Sequence, residues 1–182
     1  MTWILTHSGE RFDLLNPQPG MVRLLDIVHA LAHTARFNGH TAWHYSVAQH
    51  SLLVASLVPP EHQLVALLHD ATEAYLGDVT RPLKRLLDCY QELEHRVWQC
   101  ICERFGLDSE LPDCVHEADR IALATERRDL MPRDEAPWEC LAGISPLARR
   151  IGRWSPEKAR RHFYARAIAL LAAREGSLGV SA

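Results

Sequence analysis

Apolar residues recur at helical spacing along this chain, and prolines and glycines cut that pattern into short pieces. Val22, Leu25, Ile27, Val28, Leu31 and Ala35 mark one amphipathic helix over residues 22–35, after the break Asn16-Pro17-Gln18-Pro19-Gly20 and before Asn38-Gly39. A second helix is expected over 46–58, with Ser46 as N-cap and Pro59-Pro60 as its stop. A third starts near Glu61, carries Leu64, Val65, Leu67 and Leu68, and reaches Tyr75 before Gly77. Pro82 in the first turn suits a short helix over 83–87. Leu93, Val97, Ile101 and Phe105 stack on the next, closed by Gly106. A further helix spans 113–131, and Ser155-Pro156-Glu157 opens a last one that runs to Arg174, followed by a fraying Gly-Ser tail. Residues 132–155 are the least regular part. Only Trp3-Ile4-Leu5-Thr6 and Arg11-Phe12-Asp13-Leu14, flanking Ser8-Gly9, read as strands of a small hairpin. The expected fold is an all-α bundle with an N-terminal β-hairpin, and 182 residues suit one domain, 1–182.

Charge and cysteine content narrow the setting. A formal net charge of -3 leaves no basic footprint for nucleic acid. The cluster Arg149, Arg150, Arg153, Lys158, Arg160, Arg161 and Arg166 reads as a solvated helix face or an oligomer contact. Five cysteines without a CxxC pair indicate neither a disulfide framework nor a zinc knuckle, so reduced and mostly buried thiols are expected. No signal-peptide pattern and no membrane-length apolar run occur. A cytoplasmic protein is the expectation, with the Ile168-Ala169-Leu170-Leu171 end offering a homodimer or higher-order contact.

Chemistry concentrates at Leu67-Leu68-His69-Asp70, a His-Asp pair after an apolar run, with Glu73 and Asp78 following. His50 upstream and Asp119 downstream complete two imidazoles and two carboxylates, a mixed donor set that suits a hydrolytic divalent metal. These four residues fall on three expected helices, and helical bundles build metal sites from side chains of facing helices. Mn, Co, Fe, Mg and Zn all remain candidates for the ion. Glu73, three residues beyond Asp70 and four beyond His69, shares their helical face.

Four segments in order carry a resemblance: Arg36-Phe37-Asn38-Gly39-His40-Thr41, Tyr45 to Ser51 around His50, His69-Asp70-Ala71-Thr72-Glu73-Ala74-Tyr75-Leu76-Gly77-Asp78, and Ala118-Asp119. Over residues 36–130 the chain resembles the HD-domain phosphohydrolases, and most closely the bacterial and phage HD-domain 5′-deoxynucleotidases. That resemblance implies His50, His69, Asp70 and Asp119 as ligands of the metal. It implies Glu73 and Asp78 as acidic groups near the scissile phosphate and sugar, Arg36 as a phosphate contact and Phe37 as an aromatic neighbour. Its implied activity is hydrolysis of a deoxynucleoside monophosphate to nucleoside and phosphate. Deoxynucleoside triphosphate triphosphohydrolysis is the alternative within the superfamily, and a non-catalytic nucleotide-sensing module the alternative outside it.

His40, in the loop after Arg36, and Lys84, after Arg81-Pro82, are further candidates for contacting the substrate phosphate. Two-metal HD proteins add two histidines between the HD pair and the last Asp. Here that interval holds His95, in a charged stretch, and His116, one turn before Asp119. Neither suits a second ligand set, so a single metal is expected.

Overall fold

The computed structural model describes residues 1–178. Strands β1 (Trp3–Leu5) and β2 (Arg11–Asp13) pair antiparallel with Ile4 opposite Phe12, which forms the expected hairpin. The rest of the regular structure is helical: α1 (Leu24–His33), α2 (Val47–Ala55), α3 (Gln63–Leu68), α4 (Glu73–Leu76), α5 (Arg81–Lys84), α6 (Tyr90–Phe105), α7 (Asp113–Leu130) and α8 (Pro156–Leu178). The fold is all-α with a small hairpin, as the periodicity predicts.

Helix α2 lies at the centre, against α1, α3, α7 and α8. Seven of its nine residues are buried, so it shows little of the one-sided pattern of a surface helix. Ser46 caps it, its hydroxyl accepting from the Gln49 amide at 3.2 Å. The helix ends at Ala55, three residues before the expected stop. Around α2 the core gathers Ile27 and Leu31 of α1, Leu67 and Leu68 of α3, Ile101 of α6 and Phe163 of α8. Ala159, Phe163 and Ala167 of α8 are buried at a spacing of four, a narrow seam with small residues on either side of one ring. The hairpin joins this core by stacking Phe12 on Tyr75, with ring centroids 3.8 Å apart.

Several helix boundaries differ from expectation. The helix expected over 61–75 is a 3₁₀ turn (Pro60–His62) followed by α3, a tight turn and α4. Through that turn the bonds shorten to three-residue steps, Ala71 N–H to Leu68 O at 2.8 Å and Glu73 N–H to Asp70 O at 3.0 Å. The His69 ring also closes onto the Ala66 carbonyl at the end of α3. Helix α1 stops at His33 because Ala35 pairs with Ser46 in an antiparallel bridge and draws the chain away. The short helix α5 begins at Arg81 and ends at Lys84, ahead of the expected 83–87. Helix α6 is closed as expected by Gly106 in the left-handed conformation, with Leu107 N–H bonding Cys102 O at 2.9 Å. Helix α8 continues to Leu178 rather than stopping at Arg174; residues 179–182, part of the expected fraying tail, lie outside the described residues. The cysteines correct another expectation: Cys100 and Cys102 are buried and Cys114 half-buried, but Cys89 and Cys140 are exposed, and all five are free.

Candidate metal centre

Two helices and one turn deliver the predicted ligands to one point. His50 comes from the middle of the buried helix α2, His69 and Asp70 from the tight turn after α3, and Asp119 from α7. Ligand atoms of His50, His69 and Asp119 all lie within 4.8 Å of one another. Asp70 adjoins this group: its Oδ2 is 3.4 Å from the Nε2 of each imidazole, and Asp119 Oδ1 is 3.3 Å from His50 Nε2.

The remaining hydrogen bonds of the two imidazoles test whether a cation fits. His50 Nδ1–H donates to Glu126 at 2.6 Å, and His69 Nδ1–H donates to the Ala66 carbonyl at 2.7 Å. Both rings therefore turn Nε2 inward, and both Nε2 atoms are buried without a hydrogen-bond partner among the described residues. A ring held at Nδ1 by a carboxylate or carbonyl, with Nε2 free, is the usual arrangement of a metal-ligating histidine. Electrostatics agree. Burial and Arg36 oppose protonation of His50, yet Glu126 and Asp119 outweigh them and push its pKa up to about 10. A field that favours an extra proton at this point favours any cation there. The donor set fits a divalent ion.

Glu126 is the residue that sequence reading missed. It is fully buried and binds both His50 and Arg36, whose guanidinium Nη2 is 3.3 Å from Glu126 Oε2. Burial works against its charge, but Arg36 and His50 hold the carboxyl down at about 2. Its signal was spacing: Glu126 follows Asp119 by seven residues, two turns along the same face of α7.

Arg36 reaches the cluster because the Ala35–Ser46 bridge pinches the loop between α1 and α2, and its amide bonds Tyr45 O at 3.0 Å. Its Nη1 is 3.3 Å from Asp70 Oδ2, so it spans Asp70 and Glu126. Burial disfavours the guanidinium charge, and the carboxylates of Glu126, Asp70 and Glu73 more than restore it. The chain then turns sharply, with Phe37 and Asn38 both at positive φ (55° and 51°), a conformation costly for an aromatic residue. Phe37 sits 5.5 Å from the Arg36 guanidinium and 6.4 Å from the Trp138 ring.

Glu73 lies against the same cluster. In three-residue turns, side chains at i and i+3 eclipse, which sets Glu73 over Asp70. It is buried, and its Oε2 has no hydrogen-bond partner among the described residues. Burial, then the charges of Asp70 and Asp78, raise its pKa well above the ordinary carboxyl range. Asp78 is raised too, by burial first and Asp70 after it, with Arg36 opposing. Gly77 makes the corner between them at φ 80°, ψ 161°, a region that side-chain-bearing residues essentially avoid.

The other candidates are less engaged. His40 is exposed, and no side-chain contact joins it to the cluster among the described residues. Lys84 points its ammonium to Glu94 at 2.5 Å and over the Tyr90 ring, and reaches the site only through its field on Glu73 and Asp78. His95 and His116 are exposed and outside the cluster.

Fold and cluster define an all-α protein whose described residues include a partly buried His/Asp group suited to a metal ion. Among its relatives, YfdR of Escherichia coli K12 is 44% identical over 146 residues, spanning 79% of this chain and 81% of YfdR. The Rhodobacter capsulatus protein RCAP_rcc00048 is 36% identical over 194 residues, spanning 96% of this chain and 98% of that one. The chain belongs to the family of these two proteins, both described as uncharacterized. No family model matches it.

Proposed function

We propose that this protein is a metal-dependent phosphohydrolase of the HD type that cleaves small deoxynucleotides, as a 5′-deoxyribonucleotidase releasing nucleoside and phosphate. The observation that carries the reading is the meeting of His50, His69, Asp70 and Asp119 beside a buried arginine and a buried, protonation-prone glutamate. His50, His69, Asp70 and Asp119 would hold one divalent ion, Mn, Co, Fe, Mg or Zn, which would supply Lewis acidity at the phosphate. Arg36, held beside the ligands by Glu126, offers its positive charge to the phosphate oxygens. Glu73, whose pKa is raised by burial and by the charges of Asp70 and Asp78, delivers a proton to the leaving sugar oxygen; Asp78 accepts a hydrogen bond from the sugar or the attacking water. Phe37 flanks the phosphate, while His40 and Lys84 stand at the rim. Lys84 is engaged by Glu94, which leaves less cationic reach than a triphosphate needs and favours the monophosphate. The substrate is then a free nucleotide in the cytoplasm, not nucleic acid.

The test combines metal analysis with product chromatography on deoxy- and ribonucleotides, mono- to triphosphate, across these metals. The reading expects one metal per chain and inorganic phosphate from deoxynucleoside monophosphates. It also expects activity to be lost in Asp70→Ala and Glu73→Ala. Saturating metal should stabilise the chelator-treated protein by about 2.7 kcal/mol at a hundred times Kd, a rise in Tm of roughly 5–10 °C. Free triphosphate from dATP would replace the monophosphatase by a triphosphohydrolase. No turnover with any nucleotide and metal would move the protein to the sensing class.

A further inference from the structure

A cavity of about 760 Å³ lies behind the metal centre, and none of the proposed metal ligands lines it. Gln49 and Thr125 do, each one residue before His50 and Glu126, so the cavity sits on another face of α2 and α7. Its further walls come from Tyr45, from Gln63 of α3, from α8 and from the irregular segment 132–155. That segment is held in place there: Gln49 Nε2 donates to Gly152 O at 2.8 Å, and Leu147 N–H donates to Thr125 Oγ1 at 2.9 Å.

The lining is basic. It includes Arg149, Arg150, Arg166 and His162, and no aspartate or glutamate. Arg150 reaches outside the cavity to Asp129, which also pairs with Arg128. Arg149 and Arg166 have only neutral partners, Ser56 Oγ at 3.0 Å and the Gln63 side-chain oxygen, with no carboxylate in ion-pair range among the described residues. Leu52, Leu53 and Ile151 give the same cavity apolar wall. Arginines kept charged beside apolar surface, in a space of drug-like size, are the ingredients of an organic-anion site.

We propose that this cavity is a second ligand site, for a small organic anion whose acidic head is held by Arg149 and Arg166. It assigns a role to the C-terminal arginines that the proposed hydrolysis leaves unused, and it stands whether or not that hydrolysis is correct. Phosphate and carboxylate heads share the required chemistry, so calorimetric titration of the full-length protein uses AMP for one and 2-naphthoate for the other, with adenosine as the uncharged control.

The expected result is saturable binding of at least one anion and none of adenosine. Arg149→Gln and Arg166→Gln should each weaken it by roughly 10- to 100-fold, as loss of a charge-assisted hydrogen bond does. Asp119→Asn, in the metal centre, should leave it unchanged. Ala169→Trp, at an exposed position on the cavity wall, should abolish it by filling the space, and decides the matter if an arginine variant fails to fold. The proposal is overturned if neither anion binds at millimolar concentration. It is equally overturned if binding disappears in Asp119→Asn while surviving Ala169→Trp, because the anion then sits at the metal. A dimer in light scattering that Ala169→Trp dissociates would also overturn it, since a second copy would be covering the cavity.

Discussion

Replacing Glu126 by glutamine probes the metal centre through a residue that is not one of its proposed ligands. The change keeps the shape and an oxygen facing His50 but removes a charge that is completely buried and shared between His50 at 2.6 Å and Arg36 at 3.3 Å. Two effects follow. Outer partners of metal-bound histidines are worth 10- to 100-fold in metal affinity, or about 1.4–2.7 kcal/mol. Removing one member of a buried ion pair costs about 3–5 kcal/mol of stability. Here the cost should lie toward the lower end, because Arg36 retains Asp70 and the glutamine oxygen still accepts from His50 Nδ1. Glu126→Ala removes that acceptor as well and should reach the upper end. Calorimetric titration of chelator-treated protein with Mn²⁺ measures the first effect, and urea unfolding of the metal-free protein the second. A Glu126→Gln protein that binds Mn²⁺ within twofold of wild type, with unaltered stability, would refute the assignment of Glu126 as the group that orients His50.

Acid should unfold the metal-free protein in a window set by the same residue. Glu126 is depressed from 4.5 to about 2, so its stabilisation is complete above pH 4.5 and is lost as pH falls through 2; Asp119, also depressed, adds to that slope. Glu73, raised by burial, acts with the opposite sign and at higher pH, its contribution being lost as pH rises through its folded value. Urea midpoints measured between pH 5 and 2 should therefore fall steeply in wild type and less so in Glu126→Gln; parallel curves would contradict this. Gly77→Ala should cost about 1–3 kcal/mol through backbone strain alone, since a Cβ there meets nothing within 4 Å. An unchanged urea midpoint would show that the corner before Asp78 relaxes without cost.

Local signals were the readable ones. The hairpin around Ser8-Gly9, the Ser46 cap, the Gly106 stop and the span of α7 all depend on residues a few positions apart, and each stands where spacing put it. The co-location of His50, His69 and Asp119 was readable through the resemblance that their order carries, with donor types that suit a metal. The turn that breaks the third helix at His69-Asp70 was not readable, since the helical pattern of 61–75 is unbroken in sequence and only packing tightens the backbone there.

Short stretches decided which segments turn helical, the ends marked by Ser46 and Gly106, and the types of donor available to the site, because propensity, capping and ligand chemistry are local properties. Tertiary structure alone decided which charges are buried and with whom. Glu126 looks like any helical glutamate until His50, 76 positions away, meets it in the core. Arg149 and Arg166 look like a solvated stripe until a segment laced to α2 and α7 brings both to the wall of one cavity. A carboxylate or guanidinium reads the same in sequence whether water or protein surrounds it. Its energetics, and so its role, change by several kcal/mol when the water is removed.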